Sequence, residues 1–160
     1  MSTRLQTGNQ GAIREIGRVR APVNGLVSDL CRALIETLDA ALDHGVRGIV
    51  LDGNQKIFSA GMDVPYLMSL GDDHKALLDA WQAFFGAART LAEARVPVVA
   101  AITGHAPAGG CVLALCCDYR VMARSADPNK PYAIGMNETQ VGLAVPDGAQ
   151  HLMRRVVGQH

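Results

Sequence analysis

Three observations in the sequence predict an α/β fold. Two short apolar runs, residues 47–52 (RGIVLD) and Val98–Ile102 (VVAAI), have the length and continuity of strands buried in a parallel sheet. Around them apolar residues recur at helical spacing: Leu26, Leu30, Leu34, Leu38 and Leu42, and later Leu77, Trp81, Phe84 or Phe85, Ala88 and Leu91. Hydrophobic residues make up 49% of the chain and aromatics 4%, so the core is aliphatic, as closely packed helices and Ala/Val/Leu strands require. Strands alternating with helices imply parallel pairing through right-handed crossovers.

The elements follow in order. Residues 12–19 partly alternate, with Ile13, Ile16 and Val19 among polar neighbours, and read as a strand. Pro22 ends it, since proline donates nothing to a ladder. Ser28 is expected to cap the leucine-striped helix, and Gly45 stops it. After the strand at 47–52 comes a loop, 53–63, containing Phe58-Ser59-Ala60-Gly61-Met62-Asp63. A short helix is expected over 64–70, a break at Gly71-Asp72-Asp73, and then the second striped helix. Pro97 opens the second apolar strand, and 104–110 is a glycine-containing turn. Residues 111–117 are apolar all round and read as a short buried helix. Tyr119–Met122 is strand-like and 124–130 a polar loop. Residues 133–135 and 139–143 read as further strands, and Asp147–Val157 as a helix.

The 160 residues fit one domain, 1–160, with no linker, repeat or low-complexity segment. Fifteen Lys+Arg against fifteen Asp+Glu give zero net charge, which argues against a general nucleic-acid or membrane-surface binder. The four cysteines, Cys31, Cys111, Cys116 and Cys117, include no Cys-x-x-Cys pair and read as small buried hydrophobes in a reducing compartment. The segment 1–10 is polar, unlike a signal peptide, and no window reaches the ~18 apolar residues of a membrane span. A cytoplasmic protein is expected. No Gly-x-Gly-x-x-Gly follows a strand and no Walker A string is present, so the common nucleotide motifs are not supported.

Two loops share a design that bears on function. Ala60-Gly61-Met62 and Ala108-Gly109-Gly110 each place glycine where an apolar strand ends and a helix begins. The first N–H groups of a helix lack internal partners and carry the positive end of its dipole. Two such ends facing one point would form an oxyanion hole. Other candidates are weaker. Glu138 is either a solvated surface residue or a base. His105 lies in the turn before the glycine pair and reads as a turn or pocket-wall residue. Asp63 and Asp118 read as caps or structural hydrogen-bonders. Arg18, Arg20 and Lys56 are basic groups of the kind that meets phosphates.

Several separated strings, in order, resemble the crotonase (enoyl-CoA hydratase/isomerase) superfamily. Ile57-Phe58-Ser59-Ala60-Gly61-Met62-Asp63 is similar to its acyl-CoA loop, and 97–122 (PVVAAITGHAPAGGCVLALCCDYRVM) to its second oxyanion segment. Pro22-Val23-Asn24-Gly25-Leu26 resembles its N-terminal turn. Pro107-Ala108-Gly109-Gly110-Cys111 and Asn137-Glu138-Thr139-Gln140 are similar to the Δ3,Δ2-enoyl-CoA isomerases. The resemblance implies a spiral of ββα units, with oxyanion N–H groups on Met62 and Gly109. It implies an acyl-CoA-lining loop on Ala60, Gly61, Met62, Asp63 and Val64. Of the two hydratase glutamates, one position falls on Val112 and the other on Glu138, and the isomerases of this type carry the second alone. The implied activity is a 3-enoyl- to 2-enoyl-CoA isomerisation with Glu138 as sole acid–base. Ile134, Met136, Val141 and Leu143 would supply apolar surroundings for its carboxylate. Coenzyme A belongs to the substrate, and neither a separate cofactor nor a metal is implied.

The resemblance also implies C-terminal helices that close the acyl pocket and support trimers or dimers of trimers, and no segment of the 160 residues matches them. The expected partners are therefore an acyl-CoA thioester and further copies of the chain. The alternatives are a hydratase, which Val112 weighs against, and a non-catalytic acyl-CoA-binding or assembly protein with an incomplete site. Turnover of 3-hexenoyl-CoA separates the isomerase from the non-catalytic reading.

Overall fold

The computed structural model describes residues 4–20, 22–54 and 56–158; the side chains of Arg4, Arg18 and Val19 lie outside that description. A five-stranded sheet runs in sequence order. Its strands are β1 (Arg4–Gln10), β2 (Ile13–Val19), β3 (Gly48–Asp52), β4 (Val98–Ile102) and β6 (Tyr119–Met122). Hairpin β1–β2 is antiparallel, and β2, β3, β4 and β6 are parallel in unbroken succession. Strand order never reverses, so the sheet lacks the switch point of a doubly wound fold. The register stacks Ile16 on Leu51 and Leu51 on Ala100, all fully buried, so one row of side chains crosses three strands.

After each long strand the chain makes a short extended segment that pairs with its counterpart in the next repeat. Leu26 bridges Met62, Ile57 bridges His105, and β5 (Ala106–Pro107) pairs in parallel with β7 (Ile134–Gly135). A helix follows: α1 (Ser28–Asp43), α2 and α3 (Val64–Ser69, His74–Ala92), and α4 (Gly109–Cys116). The repeat is therefore ββα, wound as a spiral. A 3₁₀ turn, Glu138–Val141, and α5 (Asp147–Val157) complete the chain.

Both striped helices form, but Leu26, the first residue of the expected stripe, lies before α1 and bridges Met62 instead. On α1 the residues Leu30, Leu34, Leu38 and Ala41 are buried, and α1 packs on α3, which in turn packs on α4. Burying each such leucine contributes about 1.5–3 kcal/mol. Asp73 caps α3, its carboxylate accepting from the Ala76 N–H at 3.0 Å. Cys31, Cys111 and Cys117 are buried, Cys116 is half-buried, and none forms a disulfide.

Three expectations are corrected, and one strand is added. Ser28 does not cap α1: the cap position is Val27, extended and without a side-chain bond, and the Ser28 hydroxyl pairs with the Tyr66 hydroxyl at 2.8 Å. The strand β1 was not expected, because Arg4–Gln10 is polar and exposed along most of its length and carries no alternation. The buried helix α4 begins at Gly109, not 111. The segment 139–143 is not a strand. Gly142 takes φ +75, Leu143 donates to the Glu138 carbonyl, and the Asn137 side chain donates to the Gln140 side chain, closing a tight turn instead.

Candidate active site

The first loop is held by Asn24. This residue is fully buried at φ 51, and its amide donates to the carbonyls of Ile57 and Phe58 at 3.2 and 3.3 Å. The Ser59 hydroxyl donates to the Asn24 carbonyl at 2.8 Å and accepts from the Gly61 N–H at 3.2 Å. Ala60 N–H donates to the Val23 carbonyl, and Asp63 N–H to the Leu26 carbonyl. Thus the N–H groups of Ala60, Gly61 and Asp63 are all engaged, whereas that of Met62 meets no acceptor among the described residues. The turn 22–26 is the brace that leaves one donor of the loop over.

The second loop is built on Ala108. It adopts φ 48, ψ −127, a conformation ordinarily left to glycine that costs on the order of 1–3 kcal/mol. Its own N–H donates to the Gly135 carbonyl at 2.8 Å, and its carbonyl accepts from Val112 at 3.1 Å. Gly109 is then the first helical residue, and its N–H, an orphan of the helix terminus, has no acceptor among the described residues. The loops touch through glycine. A Cβ on Gly61, at φ +84, would stand 2.7 Å from Gly109 N, and one on Gly110 would stand 2.2 Å from the Ser59 carbonyl oxygen. Backbone approach this close admits no side chain.

A cleft of about 110 Å³ opens beside the junction. Ala60, Met62, Val64, Ala108 and Gly109 of the two loops line it together with Val112, Asn137, Glu138, Val141 and Leu143. Gly61 and Asp63 are not among its lining residues. Asp63 accepts from Tyr66 N–H at 2.9 Å to cap α2, and it pairs with Arg20. Burial disfavours its charge, but the Tyr66 N–H and the Arg20 guanidinium outweigh that and hold its pKa below the ordinary aspartate value.

Glu138 is buried, with 8% of its surface exposed, and its Oε2 has no hydrogen-bond partner among the described residues. A buried carboxylate oxygen without a partner is costly, so the site calls for explanation. Glu138 is the one titratable residue among those lining the cleft. Its charge reaches Cys111: burial first, and Glu138 second, push that thiol up to about 11. Val112, 5% exposed, faces the same cleft. Of the four apolar neighbours expected around Glu138, Val141 and Leu143 line the cleft and Met136 packs on the core, but Ile134 is exposed.

The remaining candidates lie elsewhere. His105 is exposed, its Nδ1 accepts from Ala133 N–H at 3.1 Å, and its ring packs edge-on against Tyr132. Asp118 accepts from Val98 N–H at 2.8 Å. Arg20 is committed to Asp63 and the Gly25 carbonyl, Lys56 is exposed, and the Arg18 side chain lies outside the described residues. Sequence reasoning missed Trp81, Phe84 and Phe85 as cleft residues. Their i, i+3, i+4 spacing was legible, but it reads as core.

No helix among the described residues is long and apolar enough to cross a membrane. The profile of the family described as Enoyl-CoA hydratase/isomerase matches residues 9–160. The chain is 34% identical over 139 residues to Enoyl-CoA delta isomerase 1, mitochondrial, of Homo sapiens, covering 86% of this chain and 44% of that one. It is 34% identical over 131 residues to a probable enoyl-CoA hydratase of Rhizobium meliloti, covering 79% and 47%. It thus spans less than half the length of these curated relatives. The human mitochondrial delta3-delta2-enoyl-CoA isomerase structure superposes with a TM-score of 0.88 at 30% identity, over 98% of this chain and 60% of that one. With the ββα spiral, this family match and these relatives in agreement, the chain belongs to the crotonase, or enoyl-CoA hydratase/isomerase, family.

Proposed function

We propose that the protein shifts the double bond of a 3-enoyl-CoA thioester to the 2-position, with Glu138 as its acid–base group. The observation that carries this reading is the lone buried carboxylate in an apolar cleft, with Val112 where a hydratase would need a second acid. Glu138 takes a proton from C2, and the electron pair delocalises onto the thioester oxygen as a dienolate. The N–H groups of Met62 and Gly109 would hold that oxygen, and one such donor contributes on the order of 3 kcal/mol in comparable holes. The carboxyl then returns the proton to C4, leaving the conjugated product. One group suffices because the proton leaves and returns on the same side of a planar intermediate. Hydration would also require a held and oriented water, which the apolar Val112 does not favour.

In the same reading Ala60, Gly61, Met62, Asp63, Val64 and Gly109 form the acyl-CoA-binding stretch, with Gly61 and Asp63 acting through loop position. A cytoplasmic location belongs to the same reading, as does a trimer or dimer of trimers, and the self-association is supported by the exposed Tyr119 and Val121 on the edge strand β6. Mixing the protein with 3-hexenoyl-CoA and following the absorbance of the conjugated thioester tests the activity. Catalysed appearance of 2-hexenoyl-CoA is expected. No rate above background, or equal conversion of crotonyl-CoA to the 3-hydroxy product, overturns it.

A further inference from the structure

Aromatic residues are scarce in this chain, 4% in all, yet Trp81, Phe84 and Phe85 stand together on one face of α3 and all three border the cleft. Trp81 stacks on Phe85 at 6.0 Å and 25°, Phe84 meets Trp81 edge-on at 6.3 Å, and Phe84 and Phe85 are 5.2 Å apart. Phe84 abuts the second loop, since a Cβ on Gly109 would stand 3.1 Å from its ring. Trp81 lies nearly one helical turn farther along, about 5 Å. The aromatic cluster therefore begins at the loop junction and ends a few carbon–carbon bonds away from it.

Resting on the acyl-CoA reading above, we infer that Trp81, stacked on Phe85, is the end wall of the acyl site and restricts the protein to short acyl chains. Volume agrees with position. A dry apolar cavity of roughly 150 Å³ accepts a six-carbon ring, and the cleft here measures about 110 Å³. Thus ~4–6 acyl carbons fill it. Two of the three rings are not pure core: Trp81 is half-buried and Phe85 42% exposed, so the protein leaves apolar aromatic surface at the cleft that an acyl chain would cover.

Binding of saturated thioesters tests this without relying on turnover. Each methylene that enters an apolar site contributes about 0.8 kcal/mol, or roughly fourfold in affinity. Calorimetric titration of the full chain with butyryl-, hexanoyl- and decanoyl-CoA should show affinity rising about fifteenfold from four to six carbons and flat or falling at ten. In Trp81→Ala, decanoyl-CoA should gain at least tenfold relative to hexanoyl-CoA. If melting shows that variant unfolded, Phe85→Leu carries the test, with a shift of a few-fold in the same direction. Affinity that keeps climbing to decanoyl-CoA in the parent overturns the inference, as does an unchanged profile in a folded variant or no thioester binding at all. An end wall confirmed in a protein that isomerises nothing refutes the isomerase reading alone, and isomerase activity without the plateau refutes the wall alone.

Discussion

Replacing Glu138 by glutamine is the most informative perturbation of the site. Glutamine keeps the length and the hydrogen-bonding reach but cannot take a proton. General acid–base groups contribute ~10²–10⁴-fold. The upper end applies here, because none of the other described residues lining the cleft titrates and His105 is tied to Ala133 away from it. The expected loss in kcat is therefore ~10³–10⁴-fold, or about 4–5 kcal/mol of barrier. Stability should move by less than about 1 kcal/mol, since Oε2 has no described partner to lose and the amide that replaces it is buried and unpartnered in turn. The assay is conjugated-thioester absorbance from 3-hexenoyl-CoA, with hexanoyl-CoA binding and thermal melting measured on the same preparations. Glu138→Asp should fall between, because a misplacement of about 1 Å can cost ~10²-fold. A glutamine variant that is folded, binds thioester and keeps more than a tenth of a genuine parental rate removes Glu138 from the mechanism. The cleft then has no other described base to offer, and the site itself would be wrong.

Hydration of crotonyl-CoA should run at least ~10²-fold slower than isomerisation, the contribution of one missing acid–base group, and comparable rates in a coupled assay would contradict the role given to Val112. Gly109→Ala would set a Cβ 3.1 Å from the Phe84 ring and 3.2 Å from Gly61 Cα. It should cut kcat by ~10²-fold through the displaced N–H while lowering stability by ~1–3 kcal/mol, read by kinetics and melting together. Asp63→Asn should lower the melting temperature near neutral pH. The folded pKa of Asp63 lies below its ordinary 3.8, so its stabilisation is present above that value and is lost as pH falls through the depressed one. The gap between parent and variant should accordingly close on acidification, and a gap independent of pH would mean that the ionisation of Asp63 is not its source.

The loops show how far linear reading reaches. Ala60-Gly61-Met62 and Ala108-Gly109-Gly110 could be marked from glycine placed between apolar strand and helix, because that requirement is local. Which N–H stays unengaged in the first loop was implied only by the family resemblance, which points to Met62, and not by the local spacing. It follows from Asn24, Val23 and Leu26, residues about 35 positions away that engage its neighbours. The strand β1 left no trace in hydropathy because it pairs through backbone at an edge and buries little, and 139–143 lost its β-branched preference to Gly142 and the Asn137 side chain.

By itself the sequence determined the α/β class, the leucine stripe of α1, the strands Gly48–Asp52 and Val98–Ile102, and, through the order of its motifs, the family. These rest on periodicity and short-range backbone chemistry, which a chain carries residue by residue. Tertiary structure alone decided that Glu138 is buried without a described partner, that Asp63 turns to Arg20 rather than to the cleft, and that Trp81, Phe84 and Phe85 border a site. A helical stripe records only that a face is apolar. Whether that face meets another helix or an open cleft depends on what the remaining repeats of the spiral bring against it, and no spacing within one helix encodes the gap.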